Sequence, residues 1–169
     1  MQLPRVLQQF KLFVDGAGYA GVVDRVEPPH LTHNTEEYRA GAMPGPVQLD
    51  MGLEAMTASF HFAEYNPDVI RLFGMYRLFD VPVTCRGAMR RQGEESVTQL
   101  VLRMRGGWNE VDPGEMQAGQ RTQMQINMSC KYYQILVDGQ EVAEVDVINM
   151  IYRMDGTDFY AGVRAALDM

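Results

Sequence analysis

Between Gln123 and Tyr132 the chain alternates almost without error, within the run Thr122–Val137. Met124, Ile126, Met128, Cys130 and Tyr132 fall on one side of an extended strand, and Gln123, Gln125, Asn127, Ser129 and Lys131 on the other. Successive strand side chains point to opposite faces, so this pattern predicts one buried face and one polar face. After Tyr132–Tyr133 the phase flips and Tyr133, Ile135 and Val137 become the apolar set, as a β-bulge would produce. At about 3.4 Å per residue the run spans roughly 50 Å, far beyond a usual strand of about 5–6 residues. A strand this long needs a large sheet or a neighbouring chain to satisfy its backbone groups.

Similar patterns recur on either side of it. Phe10–Val14 and Tyr19–Val26 flank Asp15-Gly16-Ala17-Gly18, which reads as a hairpin turn; Val137-Asp138-Gly139 repeats the phrase before Glu141–Val147. Met56–Phe62 alternates with Met56, Ala58, Phe60 and Phe62 on one side. Val81–Arg91 and Ser96–Arg105 read as a hairpin around Gln92-Gly93-Glu94, with Val81, Val83, Cys85, Met89, Leu100, Leu102 and Met104 inward. Two short helices are expected: Pro67–Met75, capped by Asn66, and a last one to about Leu167, opened by Asp155-Gly156-Thr157-Asp158. Phe159, Val163 and Leu167 make an i, i+4, i+8 stripe that should pack on a sheet. The chain therefore reads as mainly β.

Two stretches break the pattern. Glu27–Leu53 holds Pro28, Pro29, Pro44 and Pro46 with Gly41, Gly45 and Gly52, so irregular chain is expected there. Its spread of Leu31, Tyr38, Met43, Val47, Leu49, Met51 and Leu53 favours an arm packing on a partner over a loop folded back on its own domain. Gly106–Gly119 reads as a second loop, carrying Glu110, Asp112 and Glu115.

Composition narrows the function classes. With 169 residues, 46% of them hydrophobic, the chain can bury one sizeable core. A formal charge of −7 makes it a poor nucleic-acid binder. The N-terminal MQLPRVLQQFKLF lacks the apolar run of a secretory signal, and no segment reaches the roughly 20 apolar residues of a membrane span. Cys85 and Cys130 lie on apolar strand sides and read as buried free thiols.

Candidate chemistry is sparse. Gly16-Ala17-Gly18-Tyr19-Ala20-Gly21 matches a dinucleotide fingerprint in letters, but no helix follows to receive a pyrophosphate. His30 and His33 share a loop with no carboxylate nearer than Glu36, and His61 falls on a polar strand side, so neither a metal nor a catalytic site is expected. No cofactor is implied. Arg86, Arg90, Arg103 and Arg105 gather on the polar face of the middle hairpin, either as a solvated face or facing acidic groups such as Glu110–Glu115 or Glu141–Asp146 of the same or a neighbouring chain. The nearly neutral row Gln123, Gln125, Asn127, Ser129 and Lys131 is either covered by another layer or lines an aqueous passage.

A set of phrases in order resembles one family. They are Glu37-Tyr38-Arg39-Ala40-Gly41, Pro46-Val47, Asp50-Met51-Gly52-Leu53-Glu54, Glu110-Val111-Asp112-Pro113-Gly114, Ala118-Gly119, Tyr132-Tyr133, Val137-Asp138-Gly139, Glu144-Val145-Asp146, Ile148-Asn149 and Asp155-Gly156-Thr157-Asp158. The chain resembles the major tail tube proteins of contractile-tailed bacteriophages, which also supply the tubes of R-type pyocins. Met75-Tyr76-Arg77-Leu78, within Phe62–Val81, does not match phrase by phrase.

The resemblance implies a single tail-tube domain over 1–169, a β-sandwich or barrel-like subunit with two short helices that lends strands to an intersubunit inner β-barrel. Hexameric rings would stack into a hollow tube for DNA passage or envelope puncture. Tyr38, Arg39, Met43, Pro44, Pro46, Asp50 and Leu53 become candidates for a ring-stacking arm. Gln123, Gln125, Asn127, Ser129 and Lys131 become lumen- or interface-facing, and the four arginines with Glu110, Asp112 and Glu115 become interface charges. Expected partners are further copies, a tail sheath protein, a tape measure protein and a baseplate tube initiator. DNA would pass through without specific binding, and no stable membrane association is expected. The location implied is the virion tail or a bacteriocin particle, assembled in the bacterial cytoplasm. A type VI secretion tube protein is the nearest alternative, and a β-barrel ligand binder or enzyme the alternative of a different class.

Overall fold

The alternating run forms one strand from Met124 to Val137, and the rest of the protein is arranged on its two edges. The computed structural model describes residues 3–19, 21–74 and 80–168. In chain order the strands are β1 (Arg5–Val14), β2 (Ala17–Gly18), β3 (Val23–Glu27), β4 (His33–Tyr38), β5 (Val47–Leu53), β6 (Met56–Phe62), β7 (Val81–Arg91), β8 (Val97–Asp112), β9 (Met124–Val137), β10 (Gln140–Asp146), β11 (Ile151–Met154) and β12 (Thr157–Asp158). The helices are α1 (Pro67–Arg71) and α2 (Ala161–Ala166). The unmatched phrase Met75-Tyr76-Arg77-Leu78, and with it the end of the first expected helix, lies outside the described residues.

β9 pairs along its whole length with β8 on one edge. Its other edge is divided: β6 takes Met124–Cys130, and β10 takes Tyr132–Val137. Outward from β8 come β7, β1 and β2; outward from β10 come β11 and β12; β3 flanks β6. The β8–β9 register shifts where Arg105 opposes Tyr132 and Gly106 opposes Cys130, leaving Lys131 as the extra residue of a bulge. The expected phase change is thus present one residue earlier, and it sends Tyr132 to the polar side rather than the apolar one. Buried Tyr133 continues the inward face.

The inward faces make one core. Met56, Ala58, Phe60 and Phe62 of β6 meet Met124, Ile126, Met128 and Cys130 of β9, Val81, Val83 and Cys85 of β7, and Leu12 and Val14 of β1. Tyr19, just past β2, sits edge-on to Phe62 of β6 with centroids 5.9 Å apart, so the β2 end of the strand order lies against β6. Trp108 closes the layer: its ring meets Phe60 at 5.8 Å, and its indole N–H donates to the Val69 carbonyl at 3.1 Å, tying α1 to β8. Asn66 caps α1 by accepting from Asp68 and Val69 N–H, as its sequence predicts.

Several expectations need correction. The hairpin after Asp15-Gly16 pairs only Phe13 and Val14 with Ala17 and Gly18; Val23–Glu27 leaves for β6 instead. Glu27–Leu53 is not mostly irregular, because its prolines lie outside His33–Tyr38 and Val47–Leu53, which pair into a separate two-stranded sheet. β8 does not stop at Arg105 but runs on to Asp112. Gly106 there marks close approach rather than a loop, since a Cβ would lie 1.9 Å from the Ser129 carbonyl oxygen. Asp155-Gly156 is a strand turn between β11 and β12 and not a helix cap. Phe159, Val163 and Leu167 are 59%, 43% and 56% exposed, so the stripe does not pack on a sheet of its own subunit. Six-residue α2 is held instead by Arg164, which donates to Asp158 at 2.6 Å and to the Met150 carbonyl at 2.6 Å.

The hint of internal repetition acquires a geometry. Asp15-Gly16, Asp138-Gly139 and Asp155-Gly156 all place both turn residues at positive φ, the conformation that two-residue hairpins of matching twist require. Each Asp N–H then reaches past its own hairpin: to Pro82, Gln99 and Val142 carbonyls respectively, all at 2.9 Å.

Candidate functional site: the assembly surfaces

The polar face of β9 is satisfied within the subunit. Gln125, Asn127, Ser129 and Lys131 are half-buried, and only Gln123 is exposed. Asn127 is the hub: Ser59 Oγ donates to its Oδ1 at 2.6 Å, Gln125 Nε2 donates there at 3.1 Å, and its Nδ2 donates to Glu110. Lys131 pairs with Asp80 at 3.1 Å. Glu110 therefore serves β9 rather than the arginines. Asp112 caps its own turn by accepting from Gly114 N–H, and Glu115 is exposed.

Register places all four arginines on one exposed face, where Arg90 opposes Val97, Arg86 opposes Val101, Thr84 opposes Arg103 and Pro82 opposes Arg105. Among the described residues none of them lies within 4.0 Å of a carboxylate. Arg86 sits over the Phe13 ring at 5.6 Å and Arg105 over Tyr132 at 4.8 Å. Arg103 donates to Gln134, which donates to Glu141; Tyr132 donates its hydroxyl to Glu144. One sheet face thus grades from cationic on β7 and β8 to anionic on β10 through neutral relays. Of the expected acidic groups, the four arginines reach Glu141 and Glu144 alone, and only through Gln134 and Tyr132. Burial, then the Glu144 hydrogen bond, pushes the Tyr132 phenol up to about 12, so it remains a donor.

Arg153 is the direct cation of this zone and has no signal in the sequence beyond its strand position. It donates to Glu141 at 3.1 Å and to Glu144 at 2.7 Å, which raises its own pKa further. The buried thiols read from the sequence are free: burial pushes Cys85 up to about 11 and Cys130 to about 12.

The β4–β5 hairpin stands apart from the main sheet. Tyr38, Val47, Leu49 and Met51 are 51%, 42%, 45% and 58% exposed. Its foot is clasped by His33, whose Nδ1 bonds Asp50 at 2.9 Å and whose Nε2 bonds the Tyr152 hydroxyl at 3.0 Å. Gly52 N–H and His33 hold the Asp50 carboxyl below the usual carboxylate range. Of the candidate arm residues, Arg39, Met43, Pro44 and Pro46 lie in the tip, Tyr38 ends β4, and Asp50 and Leu53 belong to the foot. A further open surface is the outer edge of β1: among the described residues, beyond β7, it pairs at Phe13 and Val14 and bonds Tyr19 N–H through the Leu12 carbonyl, with Arg5–Lys11 left open.

Among the described residues no cluster of three or more His, Cys, Asp or Glu could hold a metal, and no helix is long and apolar enough to cross a membrane. Residues 4–167 match the family described as phage tail tube protein FII. The chain belongs to the phage tail tube protein family. It is a structural tail tube protein of the virion tail. It is 32% identical over 161 residues to the tail tube protein of Escherichia phage P2, covering 94% of both chains. It is also 32% identical over 162 residues to the major tail tube protein of Serratia phage KSP20, covering 95% of this chain and 93% of the relative. Its fold resembles a chain from the PVC extracellular contractile injection system's sheath–tube complex in the extended state, with TM-score 0.59 and 11% identity over 82% of this tail tube chain and 93% of that one. A chain from the tube-terminating cap of the anti-feeding prophage gives TM-score 0.59 at 12% identity, covering 80% and 93%.

Proposed function

We propose that this tail tube protein forms hexameric rings that stack into the hollow inner tube of a contractile injection machine. The observation that carries the ring is the outer edge of β1, from Arg5 to Lys11, which no strand among the described residues pairs, in a tail tube family member. An exposed edge of that length is a template for another strand, and a head-to-tail contact that closes makes a ring with no edges left. Val6 and Leu7 on this strand are 58% and 48% exposed, which adds apolar area for a neighbour to cover.

The β4–β5 hairpin is the arm that joins rings. The tube works by assembly and not by catalysis. A sheath packs outside it, a tape measure protein occupies it during construction, and a baseplate initiator starts it. Assembly takes place in the bacterial cytoplasm. A chain with formal charge −7 repels DNA overall, which suits cargo that passes without being held. Sheath contraction then drives the tube through a target envelope.

Negative-stain electron microscopy of the purified protein at low and high concentration tests this reading. Rings or hollow tubes that grow with concentration are expected. Uniform small particles at every concentration, with a baseplate initiator also present, would overturn it.

A further inference from the structure

The β4–β5 hairpin is amphipathic in the opposite sense from a hairpin folded onto its own domain. Register puts Tyr38, Val47, Leu49 and Met51 on one face, and that face is exposed. The opposite face carries Asp50, which holds Nδ1 of His33 while Nε2 of that ring bonds the Tyr152 hydroxyl of the main sheet. Both faces of the hairpin are exposed in the single chain, and the apolar one is the face whose covering by a partner would recover burial energy.

A cleft of about 450 Å³ opens at the foot of the same hairpin. Leu53, Val145, Met150, Ile151, Tyr152 and Tyr160 line it. Glu54 and Asp146 also border it. Asp146 is spent on the N–H groups of Ile148 and Asn149 and on the Asn149 amide. Among the described residues Glu54 has no carboxylate contact to a cation.

The far end of the hairpin has the complementary chemistry. Arg39–Pro46 contains Ala40, Ala42, Met43, Pro44 and Pro46, and Arg39 is its one charge. Met43 N–H donates to the Ala40 carbonyl at 3.0 Å, and Ala40 N–H donates to Met43 Sδ at 3.2 Å, so the tip is already a closed turn. A preformed, proline-stiffened tip loses little entropy on docking, and prolines suit aromatic walls such as Tyr152 and Tyr160.

We propose that the hairpin tip of one copy enters the cleft at the hairpin foot of the next, with Arg39 meeting Glu54. The socket rests on the tube reading above and names the partner of its arm. Plug and socket lie at opposite ends of one hairpin, about 20 Å apart for six strand residues. Each docked copy therefore presents a fresh tip and a fresh socket, which makes the contact heterologous and self-propagating.

Two measurements test it. M43C and A55C, made in separate chains that both carry C130A because Cys130 lines the same cleft, and mixed, should give a bis-maleimide-linked heterodimer that neither gives alone. R39E and E54R should each raise the protein concentration needed for assembly at least tenfold, and R39E/E54R should restore it, with circular dichroism unchanged throughout. Assembly of wild type and R39E at the same concentration, or folded R39E/E54R that stays unassembled, overturns the socket alone. Wild-type protein that never assembles overturns the tube reading itself.

Discussion

Gly106 shows how one residue can carry a fold. Strands β8 and β9 approach so closely at the bulge that any Cβ would enter the Ser129 backbone, which cannot yield as a flexible side-chain end would. G106A is expected to destabilise the isolated subunit by about 3 kcal/mol or more, at the upper end of overpacking changes. Urea unfolding of unassembled protein measures it. Ile126, fully buried on β9, makes the converse case: I126D places an unpaired charge in the core and should yield no soluble folded subunit on expression. Two carboxylates set the acid limit. Gly52 N–H, and after it His33, lowers the Asp50 pKa, and Arg164 lowers that of Asp158. For a depressed carboxylate, the stabilisation is full above the ordinary Asp pKa of about 3.9 and is lost as pH falls toward the lower native value. Asp50 is exposed and half-buried Asp158 lies outside the core, so the effect should be local: hydrogen exchange in the β4–β5 foot and α2 should rise below about pH 4 before the core opens.

At the scale of elements, the hairpin and the last helix share one property: each turns apolar residues to solvent. The hairpin is tied to the subunit at its foot through His33, so its tip can be removed without touching the core. Replacing Arg39–Pro46 with Asn-Gly keeps β4 and β5 joined by a favoured two-residue turn. That variant should unfold within about 0.5 kcal/mol of wild type, as surface changes do, while tube length in micrographs collapses. Tubes of normal length would show that the arm does not join rings.

For the whole molecule, the consequence is a subunit whose stability depends on its neighbours. Val6, Leu7, Leu49, Met51, Phe159 and Leu167 are all about half-exposed or more in the single chain. Covering a few hundred Å² of such surface is worth several kcal/mol at about 25 cal/mol per Å². Each kcal/mol moves the midpoint of a chain this size by about 2–4 °C. Assembled tubes should therefore melt at least about 10 °C above dilute subunits in scanning calorimetry, with a concentration-dependent midpoint for the subunit.

Strand identity on β6, β7 and β9 was legible in the chain because period-two alternation survives wherever one face is buried and the other is not. Buried thiols, the Asn66 cap and the Asp-Gly turns were legible for a similar reason: each depends on residues within a few positions. The order of the phrases also carried the family. What only the tertiary structure decided depends on distant partners. A glycine pair at 106–107 looks the same whether the backbone is turning or being approached, and only the position of Ser129 distinguishes the two. The α2 stripe carries helical period, but period cannot say whether the surface it faces belongs to the same chain. Arg153 joined Glu141 and Glu144 across the register of β10 and β11, and His33 reached Tyr152 from one sheet to the other, across sequence gaps that only the folded chain closes. Local pattern fixes which way a side chain points; only the folded sheet supplies what it points at.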